Sequence, residues 1–219
     1  MRAPLAIGLL VLMIGTGARA DDDHVWDFEV RLDGKPIGSH RFSLSAAAGG
    51  ERVLRSQAEL QVKFLGLVAY RYQHDDTEHW RGECLTAMSS STLDDGKPTR
   101  VKATGDAEGL RIEAEGKPAQ TLPGCAMSFA YWNPALRTRL PTQLVNAQNG
   151  RIENVQLTRL PDGEFESVCG MPAQAAQHWR ISGAQTPIDL WYAADGDWLG
   201  LDSTVRGGRQ LRYRKRCST

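Results

Sequence analysis

One stretch of the sequence concentrates side chains of the kinds that perform chemistry. Residues 70–84, YRYQHDDTEHWRGEC, hold two histidines, four acidic residues and a cysteine. Imidazoles and carboxylates in such numbers can bind a metal ion or transfer protons. Which of these is feasible depends on the backbone, because the backbone decides which side chains share a face.

An extended backbone separates the two histidines of this stretch. On a strand that continues from Leu67, the even-numbered residues share one face, and His79 points away from His74. A helix does not unite them either, because five residues turn it by about 500°. The H-E-x-x-H motif is also absent. The sequence therefore predicts no metal site here and no cofactor.

The even-numbered face keeps Tyr70, Tyr72, His74, Glu78 and Trp80, and two interpretations of it stay open. In the first, these side chains pack across strands, and His74 is hydrogen-bonded to an acidic residue on a neighbouring strand. In the second, they line a largely apolar cavity whose few polar groups orient a ligand. A catalytic pair of His74 and Glu78 would need a bulge, because about 13 Å separates them along an extended strand.

The rest of the chain predicts the elements that hold this face. Apolar and polar residues alternate in HVWDFEVR and again in HRFSLS, with the turn DGKPIG between them, which is typical of a β-hairpin. Turn signals such as DDGKP, EGKPA and AADGD then recur about every ten residues, without helical patterns between them. We expect an all-β fold, mainly antiparallel, with one strongly curved open sheet or partial barrel.

Residues 125–150 interrupt this alternation. Asn133 precedes Pro134, which places Asn133 outside the helical region and makes Pro134 a first-turn residue of a short helix. We expect a short helix or wide loop around which the sheet wraps. Its aromatic residues Phe129, Tyr131 and Trp132 would form the lid of the concave face, or would be ordinary core residues.

The N-terminus has the three parts of a secretory signal peptide: a positive start, a short apolar run and a small-residue end. We expect cleavage after Ala20, a single β-rich domain over residues 21–219 and a periplasmic location. The apolar run is too short for a membrane-spanning helix, and no later stretch is long and apolar enough to be one.

In an oxidising compartment the four cysteines predict two disulfides. Three connectivities are possible, and we favour Cys84 with Cys125 and Cys169 with Cys217. Each bond would close a loop of about forty to fifty residues and contribute roughly 4 kcal/mol.

The charge balance and the missing motifs exclude several classes of function. Without Arg2 and Arg19 the chain has 24 basic and 26 acidic residues, which argues against a nucleic-acid partner. We interpret the basic C-terminal run RGGRQLRYRKR as a solvated edge strand. The nucleophile elbow, S-x-x-K, P-loop and dinucleotide motifs are absent, so the sequence favours a protein that is not an enzyme.

Five segments carry a resemblance to a known family: WDFEVRLDGKPIGSHRFSL, VKFLGLVAYRYQHDDTEHWRGECL, FAYWNPAL, LVNAQNG and IDLWYAADGDWLGLDS. In this order they resemble the bacterial exported family called domain of unknown function 6134, and more distantly the uncharacterised family 3108. The resemblance implies an exported, sheet-rich domain and supplies no catalytic residue. Where the family reads L-N-x-Q-T-G, this chain has Asn149 in place of the threonine. The positions that match the family's pattern are His74, Glu78, Trp80, Cys84, Cys125, Tyr131, Trp132, Asn133, Asn146, Gln148 and Gly150.

These observations favour a periplasmic protein that binds or carries a lipid or other apolar small molecule, with an architecture similar to periplasmic lipoprotein carriers. His74 and Glu78 would be its polar anchors. Two alternatives stay open: an envelope hydrolase or isomerase with His74 as base, and a non-catalytic module whose sheet edge pairs with an envelope protein. The expected wall of the cavity consists of Tyr72, Trp80, Phe129, Tyr131, Trp132 and Trp191.

Overall fold

The computed structural model describes residues 23–166 and 172–216. The predicted signal peptide and the predicted bond between Cys169 and Cys217 lie outside these ranges. The described residues form fifteen strands, one short α-helix, α1 (Ala135–Arg139), and two 3₁₀ turns (Ala48–Gly50 and Arg206–Gly208). The strands are β1 (His24–Leu32), β2 (Lys35–Ala46), β3 (Glu51–Phe64), β4 (Leu67–Arg81), β5 (Cys84–Asp94), β6 (Lys97–Gly105), β7 (Gly109–Ala114), β8 (Gln120–Pro123), β9 (Gln143–Val145), β10 (Ile152–Asn154), β11 (Gln156–Phe165), β12 (Gln174–Ser182), β13 (Ile188–Tyr192), β14 (Trp198–Val205) and β15 (Arg209–Lys215).

Thirteen of these strands form a single sheet in the order β11-β12-β13-β14-β15-β1-β2-β3-β4-β5-β6-β7-β8. All neighbouring strands in it are antiparallel. The remaining two, β9 and β10, pair with each other. The sheet curves so that its apolar face surrounds one hydrophobic core. The predicted all-β, antiparallel, strongly curved fold is confirmed. Within the described part of the chain, no helix is long and apolar enough to cross a bilayer.

The first and last strands of the chain are neighbours in the middle of this sheet. β15 pairs with β14 on one side and with β1 on the other, so the prediction of an edge strand at the C-terminus was wrong. Its cations are accommodated by ion pairs: Arg214 is buried, and its Nη1 donates to Asp202 Oδ1 at 2.7 Å. The two edges of the sheet are β8 and β11 instead.

Residues 124–155 connect these two edge strands and fill the concave face. We call this segment the plug. It contains α1 and the hairpin of β9 and β10, which confirms the short helix predicted after Asn133. The helix begins where Asn133 Oδ1 accepts a hydrogen bond from the amide of Ala135 at 3.0 Å. The buried side chains of the whole plug are those of Ala126, Met127, Ser128, Ala130, Trp132, Asn133, Ala135, Leu136, Leu144, Val145 and Val155.

Several bonds tie the plug to the sheet that surrounds it. The disulfide between Cys84 and Cys125 joins the start of β5 to the start of the plug, as the favoured pairing predicted. The hydroxyl of Ser90 donates to the carbonyl of Ala147 at 2.5 Å. On the opposite side, the phenol of Tyr192 donates to a plug carbonyl, that of Tyr131, at 2.8 Å. The plug is thus held by both halves of the sheet.

Removal of the disulfide tests how much this bond between the plug and the sheet stabilises the fold. We expect the double substitution Cys84→Ala and Cys125→Ala to lower the free energy of unfolding by about 4 kcal/mol, because the bond closes a loop with a sequence separation of 41 residues. Urea unfolding under oxidising conditions measures this change. A loss below about 1 kcal/mol would contradict the chain-entropy argument.

Candidate functional site

Polar side chains cross four neighbouring strands on the inner face of the sheet. His40 on β2, His74 on β4 and Thr92 on β5 lie in one cross-strand row, since His40 and His74 both pair with residue 58 of β3 and His74 also pairs with Thr92. The next row contains Ser56 and Asp76. We call the following residues the inner polar cluster: His40, Ser56, His74, Asp76, Glu78 and Thr92.

Hydroxyl groups hold both imidazoles of this cluster. His40 Nε2 lies 2.7 Å from Ser56 Oγ, and its Nδ1 lies 3.2 Å from the phenol oxygen of Tyr213. His74 Nδ1 lies 2.8 Å from Thr92 Oγ1. The neighbouring-strand partner of His74 is thus a hydroxyl, whereas the first interpretation of the sequence placed an acidic residue there.

Burial keeps both histidines neutral. It lowers the pKa of His40 to about 3, with a further contribution from the proximity of His74. It lowers the pKa of His74 to about 4, although the charge of Asp75 opposes the shift. At pH 7 the two rings are therefore hydrogen-bonding groups without charge.

Asp76 and Glu78 form a buried pair of carboxyls two residues apart on β4. Burial, and next the charge of Glu78, raise the pKa of Asp76 to about 9. Burial also raises the pKa of Glu78, against the opposing effect of the Ser128 hydroxyl and of the Trp80 indole, which donates to Glu78 Oε2 at 2.9 Å. Two buried carboxylates on the same face of one strand would repel each other, which favours a proton on one of them. Asp76 is thus protonated at neutral pH.

Seven of the eight predicted ligand-binding residues fall into three groups. Tyr72, Phe129 and Tyr131 are only partly buried and pack against the inner core. Trp80 and Trp132 lie deeper, 0% and 7% exposed, with their rings edge to face at 5.4 Å. These two rings fix the plug against β4 and offer little surface to a ligand. His74 and Glu78 are buried in the inner polar cluster between these groups.

Trp191 does not lie with the other predicted wall residues. Its neighbours along β13, Leu190 and Tyr192, belong to the inner core, whereas Trp191 belongs to a small cluster with Phe165 on the outer face. There it stacks on His178 with ring centroids 4.0 Å apart and donates to Asp202 Oδ2 at 3.0 Å. Its role on the inner face is therefore excluded by its position.

The structure adds His40, Asp76 and Tyr213 to the site that the sequence predicted. Asp76 shares the face of His74 by its even number, and two-residue alternation alone points to it. His40 and Tyr213 come from strands whose neighbours along the sheet are not evident from the sequence.

Two surface pockets flank the core. One, of about 380 Å³, lies at the end of the sheet opposite the β1–β2 turn, and the other, of about 450 Å³, lies against β3 to β6. Neither includes His74. Within the described ranges, no group of three or more His, Cys, Asp or Glu side chains is arranged to hold a metal ion. The pocket of about 380 Å³ is lined by His24, Trp26, Leu44, Ser45, Ala46, Arg52, Trp132, Pro134, Asp195, Gly196 and Asp197.

A known protein family matches most of this chain. Residues 28–216 match the family described as domain of unknown function 6134. The chain belongs to this family. The more distant resemblance to family 3108 is not confirmed. No curated protein matches the sequence.

A solved structure shares the fold of this DUF6134 domain. It is the beta-barrel-like protein of domain of unknown function DUF1849 from Brucella abortus, with a TM-score of 0.60 and 10% sequence identity. The similarity covers 88% of this chain and 94% of the Brucella chain. At this identity it shows the barrel-like fold alone.

Substitution of Asp76 tests the protonation of the carboxyl pair. A carboxyl with a pKa of about 9 in the folded state holds its proton there but loses it on unfolding, so the stability of the wild type falls as pH rises toward 9. His40 and His74 are neutral throughout this range. Between pH 7 and about 9, the wild type loses up to roughly 1.4 kcal/mol of stability per pH unit, and we expect Asp76→Asn to remove this loss.

Thermal and urea unfolding at pH 7, 8 and about 9 measure this dependence. Asp75→Asn is the matched control, because Asp75 precedes Asp76 on the exposed face of the same strand. Equal pH dependence of wild type and Asp76→Asn would show that Asp76 is ionised in the folded protein.

Proposed function

We propose that the protein is an exported binding protein that holds a small, uncharged, largely apolar molecule, such as a neutral lipid, on the inner face of the sheet. One observation carries this proposal: partly exposed aromatic rings adjoin a buried polar cluster in which both histidines and Asp76 are neutral at pH 7. Tyr72, Phe129 and Tyr131 supply the rings, and His40 and His74 supply the hydrogen-bonding groups.

The electrostatics of the inner polar cluster favour an uncharged ligand. Neutral histidines and a protonated Asp76 offer no charge that could balance an ionic group. Burial also raises the pKa of Tyr72 and of Tyr213, so their phenols stay protonated. These groups can donate to or accept from a hydroxyl, an ester or an amide, whereas a buried ion without a partner is costly.

The aromatic groups favour a ligand with an apolar body. A guest gains roughly 0.8 kcal/mol for each methylene that it buries against such surfaces. Trp80 and Trp132 already occupy the deep part of the concave face, so the ligand contacts the shallow part beside Tyr72 and Phe129.

No observation favours catalysis by His74. With a pKa of about 4, this imidazole is a weak base at neutral pH, and its Nδ1 is hydrogen-bonded to Thr92.

Ligand binding is tested on protein isolated from its native compartment. Native mass spectrometry followed by organic extraction identifies a molecule that copurifies. In titrations with a fluorescent fatty alcohol and with the matching fatty acid, we expect the neutral alcohol to bind and the anion to bind at least about tenfold more weakly, since an unbalanced buried charge is unfavourable.

Variants locate the binding surface. We expect Tyr72→Ala and Phe129→Ala to weaken binding of the alcohol, whereas Trp191→Ala on the outer face leaves it unchanged. A clean apo mass together with no uptake of either probe would overturn the proposal.

Export is tested separately from binding. The disulfide between Cys84 and Cys125 supports an oxidising compartment. We expect protein released from the periplasm to begin at Asp21, and the double substitution Ala18→Arg and Ala20→Arg to block this processing. N-terminal sequencing of each cell fraction gives the result, and an intact Met1 terminus in the cytosolic fraction would contradict it.

A further inference from the structure

The hairpin of β3 and β4 extends beyond the rest of the sheet. β2 pairs with β3 only as far as Leu60, and β5 pairs with β4 only from Tyr72 onward. Residues 61–71 therefore form a two-stranded ribbon without a neighbouring strand on either side. We call this segment the ribbon. At about 3.3 Å per residue, it projects roughly 13 Å past its neighbours.

Apolar side chains cover the tip of the ribbon. Phe64, Leu65, Leu67 and Val68 are 70%, 87%, 75% and 46% exposed. They account for four of the six large apolar side chains that are exposed among the described residues. The other two, Val25 and Leu140, lie elsewhere in the chain. Concentrated apolar exposure of this kind marks an interaction surface.

The backbone of the turn at the tip shows that the fold does not require a leucine at position 65. Leu65 has φ 48° and is followed by Gly66 with φ 82°. The turns at Asp33-Gly34 and Asp95-Gly96 have the same backbone, with φ 52° and 79° and φ 48° and 81°, respectively. Aspartate tolerates this left-handed conformation better than leucine does. Leu65 is thus a disfavoured and exposed residue where the two equivalent turns carry aspartate.

The shape of the tip distinguishes a bilayer from a protein surface. Phe64 pairs with Leu67 across the ribbon, and the adjacent pair is Lys63 with Val68. Adjacent positions of a strand point to opposite faces, so apolar side chains project from both faces and from the turn. A flat or grooved partner covers one face of such a narrow tip, whereas a bilayer surrounds it. We propose that the ribbon inserts its tip into the interface of a lipid bilayer.

The charges of the ribbon fit this partner. Lys63 is exposed next to the tip and Arg71 is exposed at the base of the ribbon, and residues 61–71 contain no carboxylate. Long cationic side chains can extend from an inserted tip to anionic head groups. The neighbouring carboxylate of Asp94 accepts a hydrogen bond from the phenol of Tyr70 at 2.7 Å. The tip is therefore apolar and its flanks are cationic, as an anionic membrane surface requires.

Vesicle binding by the full protein tests this proposal. We expect cosedimentation with vesicles of phosphatidylethanolamine and phosphatidylglycerol, and weaker binding to vesicles of phosphatidylcholine alone. The double substitution Leu65→Asn and Leu67→Asn lowers the partition coefficient by at least about tenfold, because two large apolar side chains no longer leave water. Leu140→Asn is the matched control and leaves binding unchanged.

The single substitution Leu65→Asn separates membrane binding from folding. Asparagine accepts the left-handed turn, so we expect an unchanged or higher melting temperature together with weaker vesicle binding. Insertion is read independently from the fluorescence of Leu65→Trp, which shifts to the blue with vesicles and is quenched by brominated phospholipid. Leu140→Trp shows neither change.

Two results would overturn the proposal. One is equal vesicle affinity of wild type and the Leu65→Asn and Leu67→Asn variant. The other is self-association of the wild type through the ribbon, seen by analytical ultracentrifugation, without any vesicle binding. Either result leaves the inner-face ligand untouched, because the ribbon variants retain Tyr72, Phe129 and the inner polar cluster.

Discussion

A single sheet with one apolar face must have that face covered, and the rest of this structure depends on how the chain covers it. Apart from this sheet, the described part of the chain offers only the small hairpin of β9 and β10, two 3₁₀ turns and one five-residue α-helix with which to do so. The plug that joins the two edge strands takes this role. Its position explains why the two ends of the chain meet in the middle of the sheet, through β1 and β15. The disulfide then fixes the start of the plug against β5.

The same covering layer accounts for the unusual electrostatics of the inner face. Where the plug packs against the sheet, water is excluded and ionised groups become unfavourable. The two histidines respond with lowered pKa values, and Asp76 responds with a raised one. The two imidazoles keep hydrogen bonds to hydroxyl groups but lose their charge. Both histidines and Asp76 of the inner polar cluster are thus uncharged at neutral pH, which argues for recognition of a neutral molecule rather than for proton transfer.

Two-residue alternation predicted the strands, the buried face of β4 and the separation of His74 from His79, because these features are local. Alternation did not predict the features that depend on pairing between strands far apart in the sequence. β15 is central rather than at an edge because it pairs with a strand from the other end of the chain. His40 joins the site through the strand order, and Thr92 bonds to His74 through the register of β4 and β5. Trp191 was misplaced because both faces of β13 are covered, so hydrophobicity does not distinguish them.

The ribbon and the inner face are parts of the same two strands. Tyr72 pairs with Leu60 where the ribbon joins the sheet, so the partly exposed end of the inner face begins at the base of the ribbon. A tip held in a bilayer brings that end to within about the ribbon's length of the membrane surface, roughly 13 Å. An apolar molecule that passes between lipid and protein then crosses little water. If both proposals hold, the disfavoured backbone of Leu65 serves an apolar turn that connects the protein to the source of its ligand.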